Sequence, residues 1–256
     1  MTATFMRTRT DELIDFARYT KRHWERVLLK RLHRSPLFRK WLRHNLHTAI
    51  RGTGPLRVIV GGGHYLPYAG WHLTDQDILD IVEESHWRSL FGGRKLDNLL
   101  AEHVWEHLTT EEGGRAAALS FQHLRPGGVL RIAVPDGFHP SPAYIRAVEP
   151  GGTGKAALDH KVLLTYKSLA SSLERVGFSV DLLEYWDENG TFHHRPFAFS
   201  PRGRINRRPL FRCDEPAWTR GPEYAERNEQ SGGKAEQYPF NVTSLIVDAR
   251  KPDIAP

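Results

Sequence analysis

Leu56-Arg57-Val58-Ile59-Val60-Gly61-Gly62-Gly63 is a β-branched run that stops abruptly in three glycines. Residues 56–60 have the near-continuous apolar character of a strand buried on both faces, the pattern of parallel sheets in α/β proteins. The glycines supply a turn in which a backbone without Cβ lets a ligand approach closely. A buried strand running into a glycine turn is the entry to a nucleotide-type crevice. The spacing departs from a dinucleotide fingerprint, because G-x-G-x-x-G requires a glycine where Leu66 stands, so a nicotinamide cofactor is disfavoured.

Downstream, Gly70-Trp-His-Leu-Thr-Asp75 reads as a second strand ending in an acid. Asp75, about a dozen residues past the glycines, is where a carboxylate accepts the hydroxyls of a ribose, and with the glycines it suggests an adenosine-containing cofactor. Helical spacing through Ile78, Ile81, Val82, Trp87 and Phe91 closes at Gly92-Gly93, and residues 96–101 form another short strand. Thr110, Glu111 and Glu112 open a helix that carries Ala118, Leu119 and Phe121 to Leu124. Pro126-Gly127-Gly128 then predicts a tight turn before a β-branched strand over 129–134, which ends at Pro135-Asp136. Strand, helix and glycine turn thus alternate three times within roughly eighty residues, the mark of βαβ crossovers. The expectation is an α/β fold, Rossmann-like and doubly wound, with a mostly parallel sheet. Leu169, Leu173 and Val176 mark a further helix ended by Gly177, followed by strands over 178–185 and 243–249. Between them, residues 187–240 lack a clear period and read as an irregular insertion.

Upstream, the composition changes. Residues 1–51 hold thirteen Lys/Arg against four Asp/Glu, a net of +9, whereas the whole chain carries +6. Trp24, Val27, Leu28 and Leu32 share one helix face among basic residues. Ser35-Pro36 interrupts, and Leu37, Trp41, Leu42 and Leu46 resume the period. The expected organisation is a basic amphipathic helical extension over 1–53 and one domain over 54–256. Residues 18–46 suit peripheral contact with an anionic membrane, or packing of their apolar stripes on the main domain. No aromatic-interleaved motif points to nucleic acid. No apolar run reaches the ~20 residues of a membrane span, and the single cysteine, Cys213, has no disulfide partner within the chain. The expected location is the cytoplasm, with a membrane-peripheral variant if the basic helices engage lipid.

Val58-Ile-Val-Gly-Gly-Gly63, Gly70-Trp-His-Leu-Thr-Asp75, Leu100-Ala-Glu-His-Val-Trp-Glu-His-Leu108 and Leu124-Arg-Pro-Gly-Gly-Val-Leu-Arg-Ile-Ala-Val-Pro-Asp136 resemble successive motifs of predicted class I S-adenosylmethionine-dependent methyltransferases, the last two most specifically. Asp159-His-Lys161 and Thr243-Ser-Leu-Ile-Val-Asp-Ala249 extend the similarity over roughly 54–256. The resemblance implies a Rossmann-like domain and S-adenosyl-L-methionine as cofactor. It puts Gly61, Gly62 and Gly63 beside the methionine part, Asp75 on the ribose, Asp80 near the adenine, and Glu102 or His103 facing the sulfonium. Two positions depart from the pattern: Ile59 replaces the acid two places before the first glycine, and Tyr65 replaces a third alternating glycine. Methyl transfer to a hydroxyl also needs a base, for which His103, His107, Asp136 and His160 are candidates, His103 favoured by position. No metal ligand is assigned. The acceptor is expected to be a small molecule or a sugar or glycan. Its pocket would be built from the N-terminal helices, a loop over 143–160, and the 187–240 insertion with His193 and His194.

Two other classes compete. His103-Val-Trp-Glu106-His107 has the H-x-x-E-H order of an inverted zinc-peptidase motif, which would make the chain a zinc-dependent hydrolase with Glu106 activating water. A non-catalytic protein that binds the cofactor or a membrane surface is the other. Gly151-Gly-Thr-Gly-Lys155 imitates a phosphate loop, but Glu149 and Ala156 occupy positions that need glycine and a hydroxyl, so it reads as a flexible loop.

Overall fold

The computed structural model describes residues 31–32, 35–62, 70–154, 157–195, 202–203, 205 and 244–253. Gly63, Tyr65, most of the first basic helix, Cys213 and most of the 187–240 insertion lie outside the described residues. Seven strands form one sheet: β1 Arg57–Val60, β2 His72–Leu73, β3 Leu96–Glu102, β4 Leu124–Pro135, β5 Ser179–Trp186, β6 Phe192–His194 and β7 Ser244–Arg250. Their spatial order is β2-β1-β3-β4-β7-β5-β6. The first four are mutually parallel. Strand β7 is antiparallel to both neighbours, so β5 points the same way as β4, and β6 folds back on β5. Five strands run in one direction, and the fold is Rossmann-like α/β.

Alternation along the central strands sends residues to two core layers. Val58, Val60, Leu99, Leu130 and Ile132 face the helices α2 Glu84–Phe91, α3 Thr110–His123 and α5 Tyr166–Glu174, which contribute Trp87, Ala116 and Leu169. Ile59, Leu100, Ala133 and Ile246 form the opposite layer with Trp71, Ile205 and Leu42. Leu42 and Leu46 are the buried positions of helix α1 Pro36–Arg51. These two residues dock α1 on the sheet, while Arg39 and Arg43 hold Asp77 at 2.5 and 3.0 Å. The helix packs against β2, the edge strand of the sheet. No helix among the described residues is long and apolar enough to cross a membrane.

Three local expectations are corrected. The helical spacing from Ile78 begins a helix only at Glu84, because Asp75 and Asp80 tie residues 75–82 into turns; Leu79 and Ile81 are buried from those turns. Pro126-Gly127-Gly128 makes its turn inside β4 rather than before it: β3 pairs Leu96 with Leu124 and Asn98 with Val129, so residues 125–128 bulge out, with Gly127 at a φ of 71° donating to the Lys251 carbonyl. The 143–160 loop opens with helix α4 Pro142–Val148, whose first turn is capped by the Ser141 hydroxyl and started by Pro142.

Candidate functional site

Strand β1 has β2 on one side and β3 on the other. The chain therefore reverses its direction of sheet building at the β1–β3 boundary, where open α/β sheets form a crevice beyond the carboxyl ends of their strands. Gly61, just after β1, has a φ of 65°, and a Cβ there would lie 2.6 Å from the Val104 side chain. Gly62 donates its N–H to the Thr74 carbonyl at 2.8 Å, and its Cβ would stand 3.2 Å from that oxygen. The two glycines let the segments leaving β1, β2 and β3 close against one another. Ile59 is fully buried among Leu73 and Leu100. A carboxylate there would be stranded in an apolar layer, a physical reason for the departure noted at this position.

Asp75 follows β2; its Oδ1 accepts the Gln76 N–H at 3.0 Å, and its carbonyl receives the N–H groups of Ile78 and Leu79. Asp80 lies in the same loop, where Oδ1 accepts from Val82 N and Oδ2 from the Gln76 amide, while its own N–H donates to His86 Nδ1. Asp80 thus shapes the turn into α2.

Glu102 ends β3 in a buried position opposite Ala133. His103 comes next with a φ of 55°, in the left-handed region that side chains rarely adopt. Two bonds hold it there: its N–H donates to the Ala133 carbonyl at 2.9 Å, and its Nδ1 lies 2.7 Å from Glu106 Oε1. The His103 side chain is 53% exposed, the Glu106 side chain 2%. A buried carboxylate against Nδ1 fixes the tautomer that keeps its proton there, so the ring's lone pair is on Nε2.

The zinc-peptidase pairing of His103 with His107 is corrected by the local backbone. Residues Trp105–His107 form one 3-10 turn, so the two histidines do not lie one α-helical turn apart. His103 turns to Glu106, and His107 Nδ1 turns to the Asp159 carbonyl at 3.3 Å. The histidine brought to His107 is His160, with ring centroids 4.9 Å apart. The Glu106 carbonyl accepts the N–H groups of Lys161 and Val162, clamping the segment after the 3-10 turn Ala157–Asp159 onto the first turn.

Asp136 has a different position from the one its candidacy as a base requires. It is fully buried, with Oδ1 accepting from Phe138 N at 3.0 Å and Oδ2 from Trp186 N at 2.7 Å. Oδ2 pins the end of β4 to the end of β5, while Oδ1 closes the turn that follows β4. Burial pushes its carboxyl up to about 6, against the two backbone N–H bonds that favour the charged form.

Sequence reasoning missed Arg131, which sits directly opposite Asp248 in the β4–β7 register. The guanidinium grips the carboxylate with two bonds of 2.7 and 2.8 Å and donates to the Gly203 carbonyl at 2.8 Å. Arg202 approaches Asp248 from the insertion at 3.0 Å. The available signal was a charge inside each of two otherwise apolar strands.

No protein-family model and no curated protein matches the chain. Among solved structures, a SAM-dependent methyltransferase from Archaeoglobus fulgidus is 16% identical with a TM-score of 0.42, covering 83% of this chain and 94% of that one. A SAM-dependent methyltransferase from Thermotoga maritima, described as a possible histamine N-methyltransferase, is 10% identical at a TM-score of 0.40 over 92% and 98%. An O-methyltransferase family protein from Burkholderia thailandensis is 10% identical at a TM-score of 0.37; the match takes in 55% of this chain and about half of that protein, 52%. The fold assignment itself rests on strand order and register.

Proposed function

We propose that the chain is an S-adenosylmethionine-dependent methyltransferase whose cofactor lies across the carboxyl ends of β1, β2 and β3. The observation that carries this reading is the reversal of strand order at the β1–β3 boundary, with Asp75 just after β2 and Glu102 at the end of β3. A methylated sulfonium cofactor supplies a methyl group already activated for in-line displacement, so the protein mainly aligns the acceptor and excludes water. Asp75, with one oxygen committed to Gln76, offers the other to ribose hydroxyls. Glu102 and His103 stand at the end of β3. His103, held by Glu106, would take the acceptor's proton at Nε2, the thioether being the group that leaves the methyl carbon. The acceptor we favour is a hydroxylated small molecule or sugar, approached through the partly exposed His103 ring, in a cell interior.

Thermal unfolding tests the reading. S-adenosylmethionine at about a hundred times its dissociation constant adds ~2.7 kcal/mol, which raises the midpoint of a chain this size by roughly 5–10 °C. Asp75→Ala is expected to cut affinity about tenfold, the scale of one lost hydrogen bond of 1.4 kcal/mol. His103→Gln is expected to keep the thermal shift and lower turnover of a hydroxyl acceptor by roughly 10²–10⁴. A midpoint indifferent to the cofactor would overturn the proposal.

A further inference from the structure

Beside His103, Glu106, His107 and His160 each bring one ligand atom to a common point, all within 4.8 Å of one another. Glu106 Oε2 is buried and has no hydrogen-bond partner. A buried carboxylate oxygen left without a partner carries its full desolvation cost unless something else meets it. The two imidazoles are already oriented from behind. His160 Nδ1 sits 2.6 Å from the Val148 carbonyl and His107 Nδ1 faces the Asp159 carbonyl, so each neutral ring would present Nε2 as a lone pair. Rings held through the far nitrogen by a backbone carbonyl are the usual outer shell of metal-binding histidines.

We propose that Glu106, His107 and His160 bind a divalent first-row transition-metal ion. Two imidazole nitrogens and one carboxylate oxygen suit zinc or manganese better than magnesium or calcium, which take oxygen ligands. Three protein ligands leave coordination positions open, the arrangement of catalytic rather than structural sites. The site is assembled by the clamp between two 3-10 turns, in which the Glu106 carbonyl holds Lys161 and Val162. Glu106 joins it to His103, because Oε1 holds that ring while Oε2 closes the ion's coordination. The ion would then hold an acceptor oxygen beside the base; that use rests on the methyl-transfer reading, whereas metal binding does not.

The test uses the full chain, stripped with a chelator and free of S-adenosylmethionine. It is titrated separately with zinc(II) and manganese(II), followed by calorimetry and by metal content after gel filtration. We expect one equivalent of at least one of the two ions per chain, weakened at least about tenfold by His107→Asn and by His160→Asn, and unchanged by His44→Asn on the exposed face of α1. His160 is buried, so folding of each variant is checked by circular dichroism, and the partly exposed His107 decides the matter if His160→Asn fails to fold. Absence of saturable binding of either ion, or binding by His107→Asn equal to wild type, would overturn the proposal. Because the cofactor is absent, either failure leaves the methyl-transfer reading standing.

Discussion

Arg131→Met is expected to destabilise the protein by about 3–5 kcal/mol, the cost of breaking a buried ion pair from one side. Arg131 is 0% exposed and Asp248 1%. Methionine fills much of the same volume but abandons the Asp248 carboxylate and the Gly203 carbonyl, leaving Arg202, 43% exposed, as the remaining charge partner. Urea unfolding reads the loss directly, and a thermal midpoint lower by roughly 6–20 °C accompanies it for a chain of this length. The double variant Arg131→Met, Asp248→Leu is expected to recover most of that loss, since a well-packed apolar pair is often neutral in such a position. A single-variant cost below about 1 kcal/mol would reduce the pair to the worth of a surface salt bridge.

The second large effect is on pH dependence. The Asp136 carboxyl titrates at about 6 in the folded protein against an ordinary 3.8. The folded state therefore holds this proton more tightly than the unfolded state. Its contribution is fully present below pH ~3.8, falls as the unfolded chain ionises first, and is lost once the pH passes ~6. Stability of the wild type relative to Asp136→Asn is expected to fall by about 2 kcal/mol between pH 4 and 7. Glu112, Asp187 and Glu188 act in the opposite sense: lysine, histidine and backbone partners lower their carboxyls, so their contributions fade in acid. They are common to both proteins and cancel in the comparison. A flat difference across that range would mean that the two backbone donors offset the burial of the charge.

Much of the frame is legible residue by residue. The β-branched runs at 57–60 and 244–250 can be read as buried strands because apolar continuity is a local property, and Thr109 with Glu112 closes a capping box one residue before the expected helix start. Ser141-Pro142 repeats the starting signal that identified Ser35-Pro36, yet the short α4 lacks the apolar period that would draw attention to it. At 78–82 the reading erred because core burial was mistaken for helix. Leu79 and Ile81 reach the core from successive turns shaped by the Asp75 and Asp80 side chains and backbone. For the site, strand ends followed by glycine or acid mark Gly61, Gly62, Asp75 and Glu102 along the sequence. The meeting of His107 with His160, 53 residues away, depends on the backbone clamp at Glu106, and no periodicity predicts it. The Arg131–Asp248 partnership is equally silent, since it depends on a register between strands 117 positions apart.

That register also sets the order in which the molecule can be completed during synthesis. Strand β7 fills the gap between β4 and β5 but leaves the ribosome after both. Until residues 244–250 emerge, β4 and β5 each present an open edge, and the Arg131 guanidinium lacks its carboxylate. Pairing over such separations is intrinsically slow, because the chain must close long loops before those contacts form. The nascent chain thus passes through a stage with two sticky strand edges and one buried-to-be cation, the period in which a holding chaperone would serve it most.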